Sequence, residues 1–260
     1  MTSSFEYVLD PLLFEEGRLL AMEGFTGFTA PRSRGGIGVL GEKSVHRVLK
    51  YCCSPAADGQ EVPIGGYVAD VVGEEGIIEI QTAHFERLRD KLAAFLPCCP
   101  VTVVWPAEAE KWLCTVDPAT GELLSRRKSP LHQRPVDIFA ELYRLKSLLP
   151  SPGLRFCIAL LETEEYRYRL PKGRRRTVRC DRIPLKLLGQ VCLSVPSDYL
   201  ALLPDSLPEV FGAKETAALG KMSGDLARMM LNVMEAAGAL APAGKDGRRK
   251  LFIRNREDAA

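Results

Sequence analysis

The sequence predicts an α/β protein, a mixed central sheet flanked by helices, with a small C-terminal domain of two helices and a hairpin. Three observations carry this expectation. Apolar runs of strand character alternate with helical periods between Ile37 and Val195. Two such runs close on the turn Gly73-Glu74-Glu75-Gly76, a hairpin signature. From about Leu207 the chain reads helix, turn, helix, then a two-stranded hairpin with a basic tip.

The elements follow in order. Residues 1–36 form a lead, with a short strand at Phe5 to Leu9, a helix from Leu12 to Met22, and a turn-rich linker over Pro31-Arg32-Ser33-Arg34-Gly35-Gly36. Ile37 to Tyr51 is helical, with Val45, Val48 and Leu49 on one stripe and Glu42 and His46 at i,i+4 on its flank. The hairpin spans Gly66 to Gln81. Phe85, Leu88, Leu92, Phe95 and Leu96 mark an amphipathic helix ending before Pro97. Val101 to Trp105 is a short buried strand. Trp112 to Val116 is another, returning near Leu123 through Asp117-Pro118-Ala119-Thr120-Gly121. Ile138 to Leu149 is helical and Leu154 to Leu161 is a strand. Residues 162–184 form an extended hairpin or exposed loop, and Leu185 to Val195 closes the sheet. Ser194 to Pro208, with three prolines, reads as a linker. The domain boundaries are therefore 1–36, 37–204 and 205–260.

A chain of 260 residues can build one large domain or two modest ones. A net charge of +2 does not announce a nucleic-acid binder, so the distribution of cations decides. Lys172, Arg174, Arg175, Arg176 and Arg179 cluster, as do Lys245, Arg248, Arg249 and Lys250. Cys52-Cys53 and Cys98-Cys99 are adjacent pairs, CxxC is absent, and His46, His84 and His132 are scattered. These cysteines read as buried thiols of a reducing compartment, not as a zinc site or disulfide framework. A basic-then-apolar leader is missing and no apolar run is long enough to span a bilayer, so a cytoplasmic protein without membrane contact is expected.

The hairpin carries the chemistry. A symmetric turn pairs Val72 with Ile77 and sets Asp70 opposite Glu79, where two like charges repel. Folding alone does not ask for that pair. A hard cation does, since Mg²⁺ binds through one or two carboxylates plus a substrate phosphate. Gln81 lies on the same face.

An acid in a helix (Glu42), an Asp in a strand (Asp70), and Glu79-Ile80-Gln81 in the paired strand resemble the PD-(D/E)XK nuclease superfamily over roughly residues 37–105. The resemblance implies that Asp70, Glu79 and the Ile80 carbonyl hold Mg²⁺ or Mn²⁺, that Glu42 assists, and that the chemistry is phosphodiester hydrolysis. Its third motif position, usually Lys, is Gln81 here. Gln81 can orient a water but brings no positive charge, and Lys91 and Lys43 are candidates to supply it. His46 is either a second contact to the site or a locally bonded helix-flank residue. Thr82 reads as a cap of the next helix, and His84 as a possible neighbour of substrate.

The tail resembles a winged helix-turn-helix over about residues 207–254. Ser223 caps the second helix, and Leu226, Met229, Met230, Val233 and Ala237 form its core stripe. The resemblance implies DNA contact through Ser223, Arg228 and Asn232 on that helix and through Lys245, Arg248, Arg249 and Lys250 on the wing. The expected function is a metal-dependent DNA endonuclease, with homodimerisation suited to cutting both strands. The alternative is a non-catalytic DNA-binding regulator on a degenerate nuclease fold.

Overall fold

The computed structural model describes residues 8–23, 44–169 and 177–255. Along the chain run α1 (Pro11–Glu23), α2 (Ser44–Cys53), β1 (Gln60–Ile64), β2 (Tyr67–Gly73), β3 (Gly76–Ile80), α3 (Arg89–Phe95), β4 (Val101–Val116) and β5 (Leu123–Lys128). There follow α4 (Phe139–Leu142), β6 (Leu154–Arg169), β7 (Thr177–Leu193), α5 (Pro196–Leu200), α6 (Ala213–Leu219), α7 (Gly224–Ala236), β8 (Leu240–Asp246) and β9 (Arg249–Arg254).

The central sheet has the order β1-β2-β3-β4-β6-β7, with β5 added to the outer stretch of β4. β1, β2 and β3 form an antiparallel meander; β4 runs parallel to β3 and β6, and β7 returns antiparallel. The sheet is therefore mixed and the architecture α/β. Val101 to Ala107 is buried residue by residue, as expected of a strand covered on both faces. On one face α1 and α2 bury Leu9, Phe14, Val45, Val48 and Leu49 against Ile80, Val104, Cys157 and Ala159. On the other, Phe85, Leu92, Phe95 and Phe139 pack with Val103, Trp105 and Phe156.

One glycine fixes the crossover from meander to parallel strand. Gly76 has φ 113°, and a Cβ there would stand 2.2 Å from the Pro100 carbonyl oxygen. Only a residue without a side chain lets that carbonyl accept the Ile77 N–H at 2.9 Å, which starts the β3–β4 pairing.

Several expectations need correction. The pieces Val101 to Trp105 and Trp112 to Val116 are one 16-residue strand. The polar residues between them do not break it, because cross-strand partners satisfy them: Arg182 Nη1 lies 3.0 Å from Glu108, and Lys111 Nζ 2.8 Å from Glu165. A register shift between Glu108 and Glu110 absorbs the change. β1 was not foreseen, since Gln-Glu-Val-Pro-Ile is short, polar and carries the Pro63 that suits an edge. The Ile138–Leu149 stripe is buried at Ile138, Leu142, Leu145 and Leu149. Its backbone, though, is α-helical only over Phe139–Leu142, with tighter turns on both sides. Ser194 to Pro208 is not a linker: α5 lies within it, and Tyr199, Leu203 and Leu207 are buried. The strand at Phe5 to Leu9, the linker at 31–36, and the cations Lys172, Arg174, Arg175 and Arg176 lie wholly or largely outside the described residues.

The C-terminal elements share the core of the sheet. Met230, Leu231, Val233 and Met234 of α7, with Leu240 and Phe252, join the same apolar cluster as Phe85, Phe139 and Phe156. Arg134 adds a polar tie, its Nη1 donating to the Gly220 carbonyl at 3.1 Å. A shared core predicts a shared transition. Met234→Ala should lower stability by about 2–5 kcal/mol. Its urea transition, followed by the fluorescence of Trp105 in β4, should move with that of the far-ultraviolet dichroism; an unmoved Trp105 signal would mean that the tail folds alone.

Candidate functional site

The turn forms as the sequence reading requires, with Val72 paired to Ile77 and Gly73 to Gly76. The paired register of β2 and β3 runs out at Val71–Ile78. At the next row, Asp70 and Glu79 replace ladder bonds with their own side chains. The Asp70 N–H donates to Glu79 Oε1 at 3.1 Å, and the Ile80 N–H donates to Asp70 Oδ2 at 2.8 Å. Each acid thus takes up a backbone donor of the opposing strand, and the repelling pair is held together by amides.

Three basic side chains from two helices complete the arrangement. Lys91 on α3 donates to Glu79 Oε2, and its ammonium lies 5.8 Å from the centre of the Phe95 ring. Glu79 is buried at 2% exposure, so this pairing occurs away from water. His46 on α2 places Nε2 3.1 Å from Asp70 Oδ2. One turn later, Lys50, almost wholly buried, bonds Glu61 Oε1 at 2.8 Å. Gln60 pairs with Val71 and Val62 with Ala69, which brackets Glu61 against Asp70. Glu61, Asp70 and Glu79 therefore occupy one row across β1, β2 and β3. Glu61 is left-handed there, with φ 53°.

The two central acids titrate differently. Burial works to raise Asp70, but the His46 bond and charge, the Ile80 N–H and the Lys91 charge outweigh it and hold the carboxyl below its ordinary value. Burial and then the Asp70 charge push Glu79 up to about 7, against the pull of Lys91. Unequal compensation of burial drives the split: hydrogen bonds and nearby positive charge outweigh it at Asp70 and do not at Glu79.

Of the expected site residues, Asp70 and Glu79 come together. Ile80 lies beside them, its N–H turned toward Asp70; within a strand the carbonyl of a residue points the same way as its N–H. Gln81 is adjacent, its Nε2 donating to the Ala83 carbonyl. Lys91 does reach the site. His46 reaches across to Asp70. Thr82 is not the helix cap, because the short 3-10 turn at Phe85–Leu88 begins after His84, a left-handed residue at φ 63°. Glu42 and Lys43 lie outside the described residues. Lys50 and Glu61 escaped the sequence reading, since an exposed-looking Lys and an acid in an unforeseen edge strand gave no periodic signal.

The oxygen donors at this point are the Asp70 and Glu79 carboxylates and the Ile80 carbonyl, of the hard type that a divalent cation such as Mg²⁺ takes. Among the described residues, no group of three His, Cys, Asp or Glu side chains converges as a metal cage.

The C-terminal module presents six of its seven expected contact residues on one groove. α6, α7 and the β8–β9 hairpin enclose a cleft of about 890 Å³. Its walls include Ser223, Arg228, Asn232, Arg248, Arg249 and Lys250, whereas Lys245 stands outside it. Ser223 caps α7, accepting the Leu226 N–H at 3.1 Å. Arg228 is paired to Asp225, Asn232 donates to the Arg228 carbonyl at 2.7 Å, and Lys250 lies 3.2 Å from Glu235. Lys245, Arg248 and Arg249 are exposed.

The eight cysteines are all free thiols, but against the expectation of burial only Cys52, Cys114 and Cys157 are buried, while Cys98 is exposed and the other four are half-buried. Among the described residues, no helix is long and apolar enough to cross a membrane.

A family model described as "Domain of unknown function (DUF8091)" matches residues 43–194, more than half of the chain. The chain belongs to the DUF8091 family. The DUF8091 match begins at α2 and ends after β7, so it contains His46, Lys50, Glu61, Asp70, Glu79 and Lys91 and stops before the C-terminal module. An uncharacterized protein of Treponema pallidum (strain Nichols) is 31% identical over 220 residues, covering 83% of this chain and 86% of that protein. No solved structure matches.

The raised pKa of Glu79 gives a signed prediction. Its folded value near 7 exceeds its ordinary 4.5, so the folded state holds the proton more tightly than the unfolded chain. The contribution is present below pH 4.5 and is lost as pH rises through about 7. In chelator, the wild type should lose up to about 3 kcal/mol relative to Glu79→Gln between pH 5 and pH 8. Urea midpoints across that range measure the difference.

Proposed function

We propose that the protein is a metal-dependent nuclease that hydrolyses phosphodiester bonds in DNA, with a restriction-endonuclease-like α/β domain and a C-terminal winged helix that contacts DNA. The observation that carries this reading is the clasp of Asp70 and Glu79 with Lys91 beside it. Two acids facing each other in one row, Asp70 half-buried and Glu79 buried and pushed up to about 7, are expensive to fold and suit a site that exchanges a proton for a cation.

Asp70, Glu79 and the Ile80 carbonyl would hold Mg²⁺ or Mn²⁺. A bound cation of that kind lowers the pKa of a water and offsets charge on the phosphate. The chain's own residues do the rest. His46 orients Asp70 from α2. Lys91 brings the positive charge that Gln81, a neutral amide, does not. Gln81 orients a water. The groove between α7 and the β8–β9 hairpin supports the DNA reading, because its guanidinium and ammonium groups are suited to phosphate. Homodimerisation would let two such sites address both strands.

One observation favours a second reading, a DNA-binding regulator without catalysis. His46 and Lys91 already pair with Asp70 and Glu79, so the cluster is self-sufficient as a structural anchor.

Purified protein with plasmid, linear, branched and single-stranded DNA in Mg²⁺ or Mn²⁺ separates the two. The nuclease reading expects cleavage that falls roughly a hundredfold or more in Glu79→Ala and in Lys91→Met. Absence of cleavage on every substrate, or cleavage indifferent to Glu79→Ala, would sink it. In filter binding, Arg248→Ala and Arg249→Ala should each flatten the slope of affinity against salt by roughly one unit, uniformly across sequences.

A further inference from the structure

A small cleft opens on the α2 side of the sheet, lined by Val45, His46, Ile80, Gln81, Thr82 and Arg182. Its volume is about 170 Å³, enough for one phosphate group and a few waters and too small for a nucleoside. It adjoins the acid pair through two of its walls: His46 bonds Asp70, and Ile80 donates its N–H to Asp70.

The walls are donor-rich. His46, Gln81, Thr82 and Arg182 bring an imidazole, a carboxamide, a hydroxyl and a guanidinium to its lining, and among the described residues no carboxylate lines it. The acids nearby stand behind these groups. Glu108 accepts from Arg182 Nη1 at 3.0 Å, and Asp70 faces His46. Glu108 thereby fixes the guanidinium, whose side chain is only 15% exposed, so its charge is presented without the entropy loss of a free surface arginine. The backbone behind it is fixed too: the Arg182 N–H donates to Asp181 Oδ1 at 2.7 Å, and Asp181 accepts from the Ser44 hydroxyl at the start of α2. Arg182 and Gln81 are far apart in sequence, and β7 reaches the cleft only because the long strands carry it past the end of β3.

We infer that this cleft is a seat for a phosphate of the substrate backbone, with Arg182 as its charged anchor and Thr82 and His46 as its polar walls. The inference deepens the proposed function and rests on it for the identity of the ligand: the phosphate belongs to a nucleic-acid strand laid across Asp70 and Glu79. Arg182 gives the site a fixed cation on the α2 side of the sheet, opposite to Lys91 on the α3 side. A planar guanidinium engages two phosphate oxygens at once.

The test reads the phosphate directly and needs no catalysis. The imidazole Cε1–H signals of His46, His84 and His132 are followed by NMR while inorganic phosphate replaces chloride, at fixed pH and ionic strength and in chelator. The expected result is a saturable shift of the His46 signal alone. Arg182→Ala should weaken the apparent affinity tenfold or more, Arg182→Lys less, and Thr82→Val severalfold. Common, unsaturable drift of all three histidines, or equal affinity in Arg182→Ala and wild type, overturns the inference. Should Arg182→Ala fail to fold, Arg182→Lys and Thr82→Val decide, and unchanged affinity in both overturns it. Phosphate binding without DNA cleavage leaves the seat in place and removes the catalytic reading. Cleavage without a phosphate response does the reverse.

Discussion

The structure around β2 and β3 depends on one exchange of partners. Where the ladder ends, Asp70 and Glu79 accept each other's strand amides in place of backbone carbonyls. Two strands that would otherwise part are thereby clipped by side chains. The clip needs both carboxylates close together in a buried setting, which is unfavourable unless positive groups accompany them. The accompanying groups come from opposite faces of the sheet, His46 from α2 and Lys91 from α3. Both helices are therefore pinned to the same point, and their apolar faces pack in the register that this point dictates.

The neighbouring pair Lys50–Glu61 extends the pattern by one strand. A lysine with its side chain at 4% exposure is held by an acid whose side chain is 69% exposed. The bond is strong enough to hold Glu61 below its ordinary pKa. The alternation of acids on β1, β2 and β3 with cations on α2 and α3 makes a continuous polar seam along the edge of an apolar core. Replacing such a seam by well-packed hydrophobic residues is often neutral or stabilising in proteins generally, so stability alone does not account for it.

How much of this could be read in advance depended on the range of the signal. The turn is legible because Gly73-Glu74-Glu75-Gly76 fixes a register locally, and that register alone puts Asp70 beside Glu79. The apolar run from Val101 showed a buried strand, but its end was misplaced at Trp105, because Glu108 and Lys111 look like loop residues until their partners on β6 and β7 are in view. Those partners lie more than fifty positions away. The same distance hid Arg182. Tyr199, Leu203 and Leu207 were masked by their prolines, which favoured a linker over the packed segment that the core requires. Lys91 could be named only as a candidate, since helical spacing gives a face and not the strand beneath it. The helix-turn-helix-hairpin order of the tail was legible throughout, as every cue for it is local.

The apolar cluster that runs from Phe85 through Phe139 to Met234 has one more consequence. The groove of the C-terminal module and the acid clasp are rooted in the same core, with no flexible tether between them. Under the proposed nuclease reading, a strand gripped by the one would meet the other at a set offset. The molecule would then act as a gauge, and its geometry, not a search by a swinging domain, would decide which bond along the strand arrives at the acids.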